Sequence, residues 1–172
     1  MKALKENYRQ NNPKGVQIQG FMDAESYKEF LAAIAKVSFE KAEIRDMYSY
    51  FEANSSALKF FSSNEFLSFA AAITCKKLKL TKCSLKIFMA GCYTLMHDEA
   101  AKKGIEFYFD LTPQWSDSSG GMIVYLTKAG EKLAIPPSPN MLIVAETGRS
   151  YVKYVNHLAE DDGRLVVYGM LE

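Results

Sequence analysis

Tyr27, Phe30, Leu31, Ile34 and Val37 recur three or four residues apart, the period of one apolar helix face. Asp23, just upstream, offers a carboxylate to the helix's orphan N–H groups. A second helical stretch is read over 44–58, with Met47, Tyr48 and Phe51 on its apolar side. A third follows Ser62 and Glu65, which have capping-box spacing ahead of Phe66, Leu67, Phe69, Ala70 and Ile73. Upstream of all three, 11–15 reads as a turn, and Val16, Ile18 and Phe21 read as a short first strand. After about Lys76 the pattern changes. The runs 83–88, 91–96, 105–111, 122–126, 141–145, 151–155 and 164–168 are strand-like and separated by Gly, Pro, Asn and Asp. Residues 159–163 read as a hairpin connection.

Helices first and many short strands afterwards predict an α+β domain. The expectation is one domain over 1–172, with a mainly helical layer over 1–75 buttressing a β core over 76–172. A chain of 172 residues is long enough to bury a sizeable core. With 48% hydrophobic and 24% charged residues it has the composition of a soluble globular protein. The net charge of +1 lacks the basic excess of a nucleic-acid binder. No direct, sequence-specific nucleic-acid contact is expected. Cys75, Cys83 and Cys92 are odd in number and form no CxxC, which fits a reducing compartment, cytosol or nucleus, better than a disulfide framework. No apolar run approaches the ~18 residues of a transmembrane helix, and no membrane association is expected.

Candidate chemistry centres on His97 and Glu99. A histidine and a carboxylate two residues apart at a strand end point to the same side, and an iron site of the facial type needs two imidazoles and one carboxylate. The chain has only one further histidine, His157. Arg164, on an otherwise apolar strand, carries a fork suited to a carboxylate. Two readings of it stand side by side: a salt bridge with Asp110, or an anion site. Gly120-Gly121 reads as a tight turn at positive φ, and Trp115 as packed near it with its N–H satisfied.

The wider sequence resembles the prolyl-hydroxylase branch of the 2-oxoglutarate/Fe(II) oxygenases, most of all the subgroup that hydroxylates a proline of a small-subunit ribosomal protein. The resemblance runs from about Ile44 to Glu172. Residues 43–48 resemble the family's DLY segment, 63–66 its S-x-E-F stretch, and 91–99 the segment that carries HxD. Residues 107–115, with Gly120-Gly121 following, resemble the next strand and its turn. Ile135-Pro136 with 140–144 resembles the P-x-x-N strand, and 164–169 the closing R-L-x-x-x-G strand. The resemblance implies a double-stranded β-helix, a jelly-roll or cupin-like core, with N-terminal helices packed on one face.

Residue by residue, it implies His97 as the first iron ligand and places Glu99 where the family has Asp. One extra methylene moves the ligating oxygen ~1 Å, against a tolerance of about 0.2 Å. The distal ligand falls at Val152 or Lys153, depending on one gap. His157 lies four residues beyond Lys153, ~13 Å along a strand, and is expected past the strand's end. Arg164 matches the arginine that holds the co-substrate's far carboxylate, and Asp110 stands where a tyrosine assists it. The expectation is therefore a degenerate, inactive oxygenase-like domain with an incomplete metal triad and a vestigial 2-oxoglutarate site, holding no cofactor. It would serve as a protein-binding module for the ribosome or a small-subunit ribosomal protein, as a translation or dormancy factor. The competing expectation is an active prolyl hydroxylase that uses Fe(II) and 2-oxoglutarate at an atypical site.

Overall fold

In the computed structural model the described residues are 1–11, 14–97, 104–116, 118–148, 151–159 and 163–172, without the side chains of Met96, His97 and Tyr151. Asp98, Glu99 and the hairpin residues 160–162 lie outside them. The helices are α1 (Lys2–Gln10), α2 (Ala24–Ile34) and α3 (Asn64–Thr74), with a 3-10 helix over Ser56–Ser62. The strands are β1 (Gly15–Gln19), β2 (Glu40–Ile44), β3 (Tyr48–Ala53), β4 (Leu80–Phe88), β5 (Tyr93–His97), β6 (Gly104–Asp110), β7 (Ile123–Thr127), β8 (Lys132–Ile135), β9 (Met141–Thr147), β10 (Tyr151–Val155) and β11 (Arg164–Leu171). No helix among the described residues is long and apolar enough to cross a membrane.

Capping chemistry sets the helix starts. Asp23 Oδ1 accepts from the Glu25 and Ser26 amides at 3.1 and 3.0 Å, as expected. The cap of α3 is Ser63 rather than Ser62: Ser63 Oγ accepts from the Phe66 amide, while Ser62 Oγ donates to the Lys59 carbonyl and closes the 3-10 helix before it. Helix α1 forms over residues to which the sequence reading assigns no element. Its footing is Leu4 and Tyr8, one turn apart, with Tyr8 buried.

The largest departure is at 44–58, read above as helix. It contains the β2–β3 turn, all of β3 and the start of the 3-10 helix. Tyr48 and Tyr50 lie on one face of β3 and stack at 5.0 Å, an aromatic pairing that a pleated strand accommodates. Asp46 turns the chain at φ 62°, a conformation Asp tolerates, and the Met47 amide closes the turn on the Ile44 carbonyl. The layer 1–75 therefore contributes three strands as well as its helices.

Every pairing is antiparallel. The strand order is β1-β9-β6-β11-β4-β3-β5-β10-β7-β8, with β2 on the outer edge of β3. Strand β3 joins two halves: Phe51–Ala53 pair with β4, and Tyr48 and Ser49 pair with β5. The larger half has two buried faces, and period-two alternation sorts its side chains. Ile105, Phe107 and Phe109 of β6, Leu142 and Val144 of β9, and Val167 and Leu171 of β11 pack under the helices with Phe30, Phe61, Phe66 and Ile73. The intervening residues face the concave interior, where Tyr108, Ile143, Val166 and Tyr168 meet Ile123, Tyr125 and Val155 of the smaller half. Gly169 has a specific task here: a Cβ on it would lie 2.2 Å from the Phe107 ring.

Candidate functional site

The interior face also carries charge. Strand β6 places Glu106, Tyr108 and Asp110 on it, and Glu106 and Asp110 are 1% and 0% exposed. Tyr125 Oη donates to Glu106 Oε1 at 2.7 Å, and Lys153 Nζ donates to Glu106 Oε2. Registry explains the meeting. Lys153 of β10 is paired with Tyr125 of β7 on one side and with His97 of β5 on the other, so these three positions form one row across the smaller half. Between the two candidates for the third triad position, Lys153 is thus the residue opposite His97, and Val152 points to the other face.

The ammonium of Lys153 lies 5.2 and 5.1 Å from the ring centroids of Tyr108 and Tyr168. Lys86, which is buried, lies 4.0 Å from the Tyr50 centroid and 4.5 Å from that of Tyr168. Tyrosine faces attract cations in this geometry, by roughly 0.5–2 kcal/mol per contact.

Farther along the same interior face, Arg164 Nη2 donates to Asp110 Oδ2 at 2.5 Å. Its Nη1 donates to the Gly121 carbonyl at 2.6 Å and the Ile135 carbonyl at 3.4 Å. Asp110 Oδ1 accepts from the Thr112 amide. The salt bridge with Asp110, one of the two readings of Arg164, is formed. Arg164 Nε is buried without a hydrogen-bond partner among the described residues.

The turn that supplies the Gly121 carbonyl is built as expected. Gly120 and Gly121 have φ of 75° and 72°, and a Cβ on Gly120 would lie 2.1 Å from the His157 carbonyl oxygen. Trp115 Nε1 donates to the Gly120 carbonyl at 2.7 Å. His157 is exposed and follows the end of β10. Glu99 and the His97 side chain lie outside the described groups, and among the described residues no cluster of three or more His, Cys, Asp or Glu could hold a metal.

Sequence reasoning missed Glu106, Tyr125 and Lys86. The signal was present for two of them. In Ile105-Glu-Phe-Tyr-Phe-Asp110, Glu106 has the parity of Asp110. In Ser84-Leu-Lys-Ile-Phe88, Lys86 has the parity of the buried Phe88.

No family model and no curated protein matches the chain. Solved structures do. A 2OG-Fe(II) oxygenase family oxidoreductase from Burkholderia pseudomallei aligns over 99% of this chain and 90% of its own, at 12% identity and a TM-score of 0.81. A Pseudomonas putida prolyl-4-hydroxylase aligns over 99% and 97%, at 13% identity and a TM-score of 0.74. A Trichoplax adhaerens prolyl hydroxylase, solved with a hypoxia inducible factor peptide, aligns over 98% and 87%, at 14% identity and a TM-score of 0.77. Likeness at these identities is one of fold. The core is the double-stranded β-helix of the 2-oxoglutarate oxygenases within an α+β domain.

Proposed function

We propose that this chain is an oxygenase-like domain that no longer turns over and that acts by binding a protein. The observation that carries the reading is the row His97–Lys153–Tyr125, with Lys153 ion-paired to Glu106. An ammonium has no lone pair to give a metal, and a facial iron site needs an imidazole where this row has Lys153. The residues at the co-substrate position fit a dicarboxylate no better. The Arg164 fork is engaged by the Asp110 carboxylate and two carbonyls, and a second carboxylate would meet Asp110 at close range in a low dielectric. Charges that an oxygenase would direct at ligands are here directed at each other.

For the partner we infer the ribosome, through a small-subunit ribosomal protein, and a role in translation or dormancy within the cytosol or nucleus. The resemblance of 43–48, 63–66, 91–99, 107–115 and 164–169 to the ribosomal-protein hydroxylases supports this partner.

The test is thermal unfolding under anaerobic conditions with Fe(II) or Mn(II), with and without 2-oxoglutarate, because a ligand of the native state must raise Tm. The expected result is no shift at millimolar ligand, together with co-sedimentation with ribosomes. A metal-dependent rise, enlarged by 2-oxoglutarate and abolished by His97→Ala, would overturn the reading in favour of an active hydroxylase. Absence from the ribosomal pellet would remove the proposed partner.

A further inference from the structure

Strand β2 is the outermost strand on its side of β3 and pairs with no other strand among the described residues. Four of its five residues are exposed, Ala42 being the half-buried one. It therefore presents a row of backbone donors and acceptors to solvent, a template for another strand. Proteins commonly guard such edges with charge, and β2 reads Glu-Lys-Ala-Glu-Ile. A charged edge rejects most strands and accepts one whose charges run in the complementary order.

The complementary order is its own reverse. When two copies of β2 pair antiparallel about a two-fold axis through Ala42, Lys41 of each stands opposite Glu43 of the other, and Glu40 stands opposite Ile44. No like charges are directly opposed. Lys41 and Glu43 already share a face, with Nζ 2.8 Å from Oε2 within one copy and both side chains about half exposed. Pairing would arrange the four groups as an alternating ring of two ammonium and two carboxylate groups around the axis. An axis through a residue keeps hydrogen-bonding parity whichever residues point outward, so the ladder closes in this register. The other sheet edges lack the property. Strand β1 carries no charge, and β8 carries only Lys132.

Two of the chain's exposed large apolar side chains, Ile44 and Met47, lie at the end of β2 and in the β2–β3 turn that follows it. This apolar tip continues the edge and extends the contact beyond the strand.

We propose that β2 is a self-association site, through which a second copy of this chain adds edge to edge in the Ala42-centred register. The interface is a short strand and a small apolar tip, well under the ~1,200 Å² of stable complexes, so association is weak and rises with concentration.

Charge exchange tests both the surface and the register. Lys41→Glu and Glu43→Lys are made separately and together, and sedimentation velocity is run from ~10 μM to ~1 mM. Circular dichroism confirms that each variant, altered only at exposed positions, keeps its fold. Wild type is expected to shift from monomer to dimer across this range, less so at ~500 mM salt. Each single variant opposes like charges twice and is expected to lose the dimer, with Kd weakened by about tenfold or more. The double variant restores it. An equimolar mixture of the two single variants forms a heterodimer although neither self-associates, because the paired carboxylates of the Lys41→Glu chain then face the paired ammonium groups of the Glu43→Lys chain. A wild type that stays monomeric throughout would overturn the proposal. So would a dimer indifferent to the single reversals, or a mixture that stays monomeric.

Discussion

Arg164 and Asp110 are 1% and 0% exposed, so neither charge has bulk water to fall back on. Removing one partner from such a pair costs about 3–5 kcal/mol, whereas replacing both with apolar side chains of similar volume is close to neutral. Asp110→Ala is therefore expected to lower stability by about 3–5 kcal/mol in urea unfolding. The double variant Asp110→Leu/Arg164→Met is expected to recover most of that loss. Additive single losses would mean that the pair is not the unit acting here. This pair was legible in the sequence because Arg164 stands on an otherwise apolar strand and the family resemblance sets Asp110 beside it at the co-substrate position. The Lys153–Glu106 pair was not, because it depends on which residue of β10 comes opposite His97, a matter of one residue in register. The cysteines give a second expectation at this scale. The Lys5 ammonium, joined by Arg9, holds the exposed Cys75 thiol below its ordinary range, and burial pushes Cys83 up to about 12. The thiolate is the reactive form. Iodoacetamide near neutral pH should thus label Cys75 well before Cys83. Its rate should rise with pH with a midpoint shifted below that of an ordinary thiol, and Lys5→Ala should move that profile upward. Equal labelling of both thiols would contradict the assignment.

Between residue and molecule, the elements show what a local pattern can and cannot decide. The helix over 24–34 was legible because spacing and cap agree, although it ends at Ile34 and leaves Val37, read as part of its stripe, in the loop beyond. The hairpin at 40–53 was not, because Met47, Tyr48 and Phe51 fit a helical stripe about as well as Tyr48 and Tyr50 fit a strand face. What settles it is tertiary: β3 has β2 on one edge and both β4 and β5 on the other, partners that no local window contains. The short β8 was missed for a related reason, since four residues starting with an exposed lysine carry little alternation to read. Pairing between elements makes its own prediction at Gly169, which lies opposite Phe107. Gly169→Ala would drive a methyl to within 2.2 Å of that ring and is expected to cost about 1–3 kcal/mol as the strands shift to relieve it. Phe107→Leu in the same chain should offset part of the cost, so the double-mutant cycle should show favourable coupling in chemical denaturation. Loss of stability equal to the sum of the single variants would place the strain elsewhere.

For the molecule as a whole, the two hydrophobic cores are not independent bodies. Strands β6, β9 and β11 send alternate side chains into the helix-side cluster and into the concave interior, so one backbone ladder underlies both. Losing the helix side would leave Phe107 and Phe109 facing water on strands that also position Glu106, Asp110 and Arg164. Unfolding should then be a single cooperative transition. The chain supplies its own reporters. Its one tryptophan, Trp115, is hydrogen-bonded to the glycine turn that also gives Arg164 a carbonyl, and it reports the interior side. Far-UV circular dichroism near 222 nm reports α1, α2 and α3 on the other side. The two signals are expected to trace one curve in urea. Phe61→Ala, deep in the helix-side cluster, should lower both midpoints together, by the equivalent of about 3–5 kcal/mol. A Trp115 transition that kept its midpoint while the helical signal fell early would show instead that the concave interior, with its internally paired charges, holds its shape without the helices.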